Sequence, residues 1–340
     1  MRDLIVAGGG PVGLATALYA HRAGLDVGVV EPRDGVIDKA CGEGLMPGAV
    51  AALAELGVDP DGHPITGIRY LAGDRVAEAP FRHGLGRGVR RTTLQVALGE
   101  AVAKAAITIE HRAVRSVEER GDHVVVDGEA TRHLVAADGL HSPIRRLLEL
   151  DEPTGGHRRY GLRRHVQVAP WTAFVEVHWS ALGEAYVTPV ADDLIGIAVL
   201  SEARLPYDDL LAGFPALARR VAGEPSTRVL GAGPLRQRAR RRAAGRVLLV
   251  GDAGGYVDAL TGEGIALGLA QGRAAVDAVR TGHPERYELA ARRLGWRHEL
   301  LTRGLVTATR HPAVRGRVVP AAARLPWVFT AAVNQLARPA

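Results

Sequence analysis

The chain has 340 residues, 47% of them hydrophobic, and a formal net charge of +6 carried almost wholly by arginine, with lysine only at Lys39 and Lys104. That length and apolar content suit two closely joined lobes with ample core, while a lone cysteine, Cys41, excludes a disulfide framework and a cysteine-rich metal site. No apolar run is long enough to span a bilayer, and the start MRDLIVAGGG ends in glycines rather than a cleavage site, so a soluble, cytoplasmic protein is expected.

In chain order, Asp3 to Ala7 (DLIVA) reads as a buried parallel strand. Gly8-Gly9-Gly10-Pro11-Val12-Gly13 follows, then a small-residue helix from Leu14 to Ala23, then a strand Val27 to Val30 closed by Glu31. Strand, G-x-G-x-x-G, helix, strand and acid together define a dinucleotide site. Gly8 permits the tight turn, Gly10 lets backbone approach a pyrophosphate, and Gly13 lets the helix pack on the sheet. The helix N-terminus favours phosphates, and Glu31 can accept from ribose hydroxyls.

The loop DKACGEGLMPGA, Asp38 to Ala49, carries Cys41 and leads into a helix expected from Gly48 to Leu56. Gly42 and Gly44 allow its backbone to pass close to a ligand. Arg91-Thr92-Thr93-Leu94 reads as a helix start. Leu134 to Ala137 is another short strand, running into Asp138-Gly139-Leu140-His141-Ser142-Pro143-Ile144-Arg145.

A β-rich stretch follows, with strands at Ala173–Trp179, Ala185–Val190 and Leu194–Leu200 and a hairpin signal at Asp192-Asp193. Pro189 belongs at an edge or a bulge. Pro206 to Val221 reads as one helix. Arg246 to Val250 forms a strand ending in Gly251-Asp252-Ala253-Gly254-Gly255, and TGEGI (Thr261 to Ile265) opens a helix from Ala266 to Val279. Both Asp138 and Asp252 stand just past the C-terminal end of a strand, where open α/β sheets bind ligands. The tail from Pro284 reads as helices broken by Pro312, Pro320 and Pro326, either capping a substrate pocket or packing on the first lobe.

Three motifs in this order, GxGxxG, DGxxSxxR and GD, make the chain resemble the flavoprotein monooxygenases of the aromatic-hydroxylase type and their relatives the geranylgeranyl reductases. The resemblance covers about the first 280 residues. It implies an α/β fold: a Rossmann-like FAD-binding domain, discontinuous over residues 1–65, 85–158 and 240–282. A β-sheet substrate lobe is inserted at 66–84 and 159–239, and a helical cap runs over 283–340. FAD would be held by Gly8, Gly10, Pro11, Val12, Gly13 and Glu31, with Asp252 on the ribityl chain and Arg91 at the phosphate or ribityl region. Cys41 and Gly42 would lie beside the ribityl chain, and Gly262, Gly264 and Ile265 by the flavin ring, with Glu263 in contact or just behind. Asp138 supports the FAD site and is tied in the family to NAD(P)H, which docks only transiently; no second GxGxxG follows a strand.

The resemblance implies FAD-dependent, NAD(P)H-consuming hydroxylation of an aromatic, phenolic or polyketide-like molecule by molecular oxygen, through the flavin C4a-hydroperoxide. The alternative is saturation of C=C bonds in a prenyl or lipid substrate, which CGEG and TGEGI resemble more closely. No catalytic base stands out; Cys41, His165, His178 and Tyr186 are the candidates, each with an ordinary structural explanation beside it. No metal-binding cluster is present in the sequence pattern. A flavin-dependent halogenase is excluded by the missing W-x-W-x-I-P motif and by the places of Lys39 and Lys104. Arg236 to Arg242 reads RQRARRR, and from Arg286 to Ala340 ten arginines meet two acids. Such runs are solvated faces, or they attract an anionic cofactor or a membrane surface. Nucleic acid is not expected, since no binding module or aromatic platform accompanies them.

Overall fold

Alternation within short strands with apolar, buried centres decides the first lobe. The computed structural model describes residues 1–155, 158–260 and 262–338. In it Arg2–Ala7 pairs in parallel with Val27–Val30 on one side and Glu129–Ala136 on the other. Thr108–Glu110 and Val247–Leu249 extend the same parallel sheet outward. Leu4 and Val6 face a core built with the helices Pro11–Arg22, Arg91–Lys104 and Gly264–Arg280. Ile5 and Ala7 face a second core with Val124, Val126 and Ile144, covered by the antiparallel ribbon Val117–Val126. A strand buried on both faces needs apolar residues at every position, which is what Leu4 to Ala7 supply. All these parallel strands end at one edge, and the three motif loops meet there.

The second lobe is one seven-stranded sheet in the order Leu230–Ala232, Tyr160–Val166, Leu194–Ser201, Gly183–Ala191, Phe174–Ser180, Gly67–Ala72, Arg75–Pro80. Two stretches far apart in sequence meet where Phe174–His178 pairs in parallel with Gly67–Leu71. Asp192-Asp193 forms the two-residue hairpin, and the register shifts between Pro189 and Ala191. Period-two burial gives the sheet two faces. Ala185, Val187, Ile195, Ile197 and Val199 pack outward under two short helices, whereas Tyr186, Thr188 and Ala198 face the first lobe.

The helical elements differ from expectation in two places. Pro206–Val221 is not one helix but two, Tyr207–Ala212 and Pro215–Arg220. Pro215 cannot donate to the preceding turn and disfavours helical backbone at Phe214, so the chain restarts there. In the tail, Pro312 and Pro326 begin helices, but Pro320 lies inside Val318–Arg324. It occupies the first turn, where its missing N–H had no helical partner to lose. The tail serves both lobes. Arg286–Thr309 packs on Gly264–Arg280, and the last two helices pack on Arg75–Pro80. Among the described residues no helix is long and apolar enough to cross a membrane.

Candidate active site

A cavity of about 580 Å³ lies between the parallel sheet's C-terminal edge and the inner face of the second sheet. Its first end is set by the glycine turn. Gly8 has φ of +116°, and a Cβ there would lie 2.3 Å from the Ala137 carbonyl oxygen. A Cβ on Gly13 would lie 1.8 Å from the Gly8 oxygen, so the turn closes only without side chains. A Cβ on Gly10 would instead meet only the Arg91 guanidinium, at 3.6 Å. Gly10 thus leaves a space between the helix N-terminus and a cation, a cradle of the kind a phosphate fills. Arg91 Nε is buried without a protein partner.

Glu31 is 3% exposed. It accepts from the Gly9 amide at 2.8 Å and from Arg33 Nε at 2.7 Å and Nη2 at 3.0 Å. Burial opposes its charge, but these donors, Arg33 foremost, outweigh that and hold the carboxyl below the usual range. Gln95 fixes the other side of the turn by donating to the Gly9 carbonyl at 2.6 Å.

The middle of the cavity is lined by buried polar groups. Burial raises the carboxyls of Asp252 and Asp138, although Arg91, Lys39 and Arg145 favour the charge on Asp252. Asp138 Oδ2 accepts from the Ile144 amide at 3.0 Å, while Oδ1 is buried and unpartnered. Lys39 also lines the cavity, its ammonium disfavoured by burial and by Arg33 and Arg91. Arg145, 1% exposed, is tied to the carbonyls of Leu140, Asp252 and Ala253 and to Asp151. It clamps the DG and GD loops together from behind.

The Cys41 loop is pinned at Glu43, a non-glycine residue with φ of +60°. Glu43 Oε2 lies 2.7 Å from His165 Nε2, and Oε1 accepts from the Arg91 amide at 2.9 Å. Arg163 Nη1 lies 3.1 Å from His165 Nδ1, and its Nη2 binds Asp38 and reaches within 3.7 Å of Glu43. Thr188 donates to the Gly42 carbonyl at 2.8 Å. The loop of the first lobe is therefore stitched to the second sheet on both sides of Cys41. The thiol itself accepts from the Glu43 amide at 3.4 Å. Burial pushes it up, against the pull of Arg91, so it stands as a neutral S–H at the cavity wall.

The far end is apolar. Ile65, Ile68, Val175, Val177, Leu200 and Leu260 line it, with Val333 and Leu336 from the last helix. Tyr70 and Tyr186 are the polar tips there, and burial drives both phenols far up. Tyr186 Oη is already committed, donating to the Leu260 carbonyl at 2.8 Å.

Of the residues singled out from sequence, Gly8, Gly10, Pro11, Val12, Glu31, Cys41, Gly42, Arg91, Asp138, Asp252, Gly262, Gly264, Ile265 and Tyr186 line this cavity. Gly13 supports it from within the turn. Thr261 of TGEGI lies outside the described residues, and Glu263 turns to His298 Nδ1 at 2.6 Å. His165 is behind the wall on Glu43. His178 points to the opposite face of its strand, 3.1 Å from Glu176. Neither histidine lines the cavity. Sequence reading did not find Lys39, Arg33, Glu43, Gln95 or Arg163. Only Arg33 and Glu43 carried a local signal, one two residues past the ribose acid and the other between the loop glycines. Among the described residues no group of side chains is arranged to hold a metal ion.

The residues fit FAD: a phosphate cradle with an unsatisfied arginine, a buried acceptor at the ribose position, and two carboxylates along the middle. A dinucleotide fold with these groups defines a flavin-binding oxidoreductase. Residues 1–186 match the family model described as "FAD binding domain", and the chain belongs to that family. It is 30% identical to the menaquinone reductase of Mycolicibacterium smegmatis, over 85% of this chain and 78% of that protein. It is 26% identical to digeranylgeranylglycerophospholipid reductase 1 of Methanothermobacter thermautotrophicus, over 86% of this chain and 80% of that one. The crystal structure of p-nitrophenol 4-monooxygenase from Pseudomonas putida superposes with a TM-score of 0.80 at 17% identity, covering 98% of each chain. The protein is thus an FAD-dependent oxidoreductase of the fold shared by monooxygenases and prenyl reductases.

Proposed function

We propose that the chain is an FAD-dependent reductase that saturates a C=C bond in a prenyl chain of a quinone or lipid, with NADH or NADPH as reductant. The observation that carries this reading is the far end of the cavity: aliphatic walls, phenols that burial holds neutral and, among the described residues lining that end, neither a histidine nor a carboxylate. Hydroxylation of a phenol, the first expectation from sequence, asks for a group that takes the phenol's proton. His165 and His178 are engaged outside the cavity, and Tyr186 already donates to a backbone carbonyl. An aliphatic chain needs no such group. The two reductases among the relatives support the same reading.

FAD, when bound and reduced, would supply a hydride, one proton with two electrons, to one alkene carbon. The chain's own residues do the rest. Arg91, Gly10 and Glu31 hold the nucleotide half, and Asp252 and Asp138 orient the middle. The apolar walls exclude water and lay the alkene alongside. The second hydrogen must arrive as a proton on the other alkene carbon. We assign this proton to Cys41, which lines the cavity with a thiol that burial keeps protonated, and solvent restores it afterwards. Glu43 holds the loop that presents it.

The test is anaerobic turnover of purified yellow protein with NADH or NADPH and a menaquinone bearing an unsaturated prenyl chain. A product richer by two hydrogens supports the reading. Oxygen uptake with a product richer by one oxygen would replace it with hydroxylation.

A further inference from the structure

The exposed side of the helix Arg286–Thr309 has a composition that its packing does not explain. One stripe is buried against the protein, through Tyr287, Ala291, Gly295, His298 and Thr302. On the opposite side Leu289, Trp296 and Leu300 are 54%, 53% and 63% exposed. Their spacing places all three on one narrow ridge, since a helix turns about 100° per residue. Arg293 and Arg297 flank the ridge on one side, Arg292 and Arg303 on the other. Arg293 and Arg297 make no ion pair among the described residues, and Arg297 lies 5.3 Å over the Trp296 ring. The helix's two acids are drawn away: Glu288 binds the Arg242 and Ala243 amides and Arg292, and Glu299 binds Arg242 and Arg303. The ridge therefore has an apolar crest, one flank of guanidinium at Arg293 and Arg297 without a carboxylate partner among the described residues, and a second flank where Arg292 and Arg303 pair with Glu288 and Glu299.

We propose that this face docks the protein on an anionic lipid bilayer. Leu289, Trp296 and Leu300 would enter the boundary between headgroups and acyl chains, and the arginines would engage lipid phosphates while their stems lie along the apolar surface. Charge complementarity selects this occupant, as ten arginines meet two acids from Arg286 to the end of the chain. A tryptophan at the crest suits a boundary that is apolar on one side and wet on the other. Farther along the same helix, Leu305 and Val306 pack against the apolar cluster that contains Leu260 and Val177, both of which line the cavity. A bilayer on this face would lie one helix away from the apolar end of the active site. The inference rests on the surface alone and survives any change in the substrate reading.

The test is flotation of the flavin-loaded protein with phosphatidylcholine vesicles, with and without phosphatidylglycerol. Binding only when phosphatidylglycerol is present, weakened by salt, is expected. Leu289→Ser, Trp296→Ser and Leu300→Ser together should lower partitioning at least about tenfold while the bound-flavin spectrum stays intact. Arg293→Gln with Arg297→Gln should remove the preference for phosphatidylglycerol. Absence of flotation, or flotation unchanged in both variants, would overturn the proposal. So would tighter retention on RNA than on vesicles, or a dimer in solution that the triple serine variant abolishes.

Discussion

The two ends of the cavity are built by opposite means. At the nucleotide end, shape is enforced by backbone: Gly8 and Gly13, which admit no Cβ, a helix N-terminus, and a buried carboxylate, Glu31, held by the Gly9 amide and Arg33. At the far end, shape is the sum of single aliphatic side chains, one or two from each of four strands, with Leu260 from a loop and two from the last helix. The first design has little tolerance and accepts one ligand. The second can be repacked residue by residue, so relatives with one fold can differ in chemistry. Between them sits the Cys41 loop, which belongs to the first lobe by chain and to the second by hydrogen bonds.

The sharpest way to test the contrast is Gly13→Ala. The new methyl would lie 1.8 Å from the Gly8 carbonyl oxygen, and neither backbone can give way without opening the turn. A loss beyond about 4 kcal/mol is expected, read as protein that carries no flavin or does not accumulate. An alanine of the same size at the apolar end, Val175→Ala, should leave flavin content unchanged. If Gly13→Ala kept FAD, the nucleotide end would be as forgiving as the other.

Next in size is Glu43→Ala, which strands His165 and Arg163 in a buried place. Removing one member of a buried charged set costs about 3 kcal/mol or more, measurable by denaturant unfolding of the loaded protein. Turnover should fall with it, since the loop would lose its pin. Cys41→Ser follows. Flavin binding should survive and saturation slow about a hundredfold, near 2.7 kcal/mol on the barrier, as for loss of a positioned acid. Because burial raises the wild-type thiol, activity should hold as pH rises through about 8.5, the ordinary thiol value, and fall only above it. Unchanged turnover in Cys41→Ser would make the thiol a wall and move the proton source elsewhere.

Legibility follows the same division. The nucleotide end was readable because each of its parts is local: Gly8 to Gly13 is one turn, Asp138 and Asp252 each close a strand, and Glu31 follows the next one. Pairwise geometry across the lobes was not. Glu43 acts through His165, 122 positions away, and nothing beside CGEG points to that partner. His178 looked available because strand alternation says that residues take two faces, not which face a given one takes; Glu176 and His178 took the outer one. The parallel joint between Phe174–His178 and Gly67–Leu71 is likewise a long-range pairing with no local signature. Arg286–Thr309 was readable as a basic helix, but only its burial shows that the arginines frame an apolar ridge.

Glu31→Ala is expected to weaken FAD binding by about 1–3 kcal/mol, the worth of hydrogen bonds to a charged acceptor. Arg33 and the Gly9 amide already occupy this carboxylate, so part of the loss is a loosened turn. The acid limb separates the two. Glu31 is depressed in the folded state, so its stabilisation is complete above the unfolded value of about 4.3 and disappears as pH falls through the lower folded value. Wild-type protein should lose flavin more steeply below about pH 4 than Glu31→Gln does. Equal slopes in a flavin-release titration would remove Glu31 from the account.

The smallest effect is expected within the apolar end, at Tyr186→Phe. The hydroxyl donates to the Leu260 carbonyl at 2.8 Å and lies in a site where burial keeps it protonated. Its removal leaves one buried carbonyl without this donor, about 1 kcal/mol of stability. It leaves the aliphatic surface intact, so turnover on a prenyl substrate should stay within about twofold. A phenol hydroxylase would respond differently, because a tyrosine beside the ring can relay the substrate's proton. Steady-state rates with both substrate classes in this one variant therefore bear on the chemistry as well as on packing. A collapse of turnover with stability preserved would return Tyr186 to the list of reacting groups, and with it the oxygen-using reading of the apolar end.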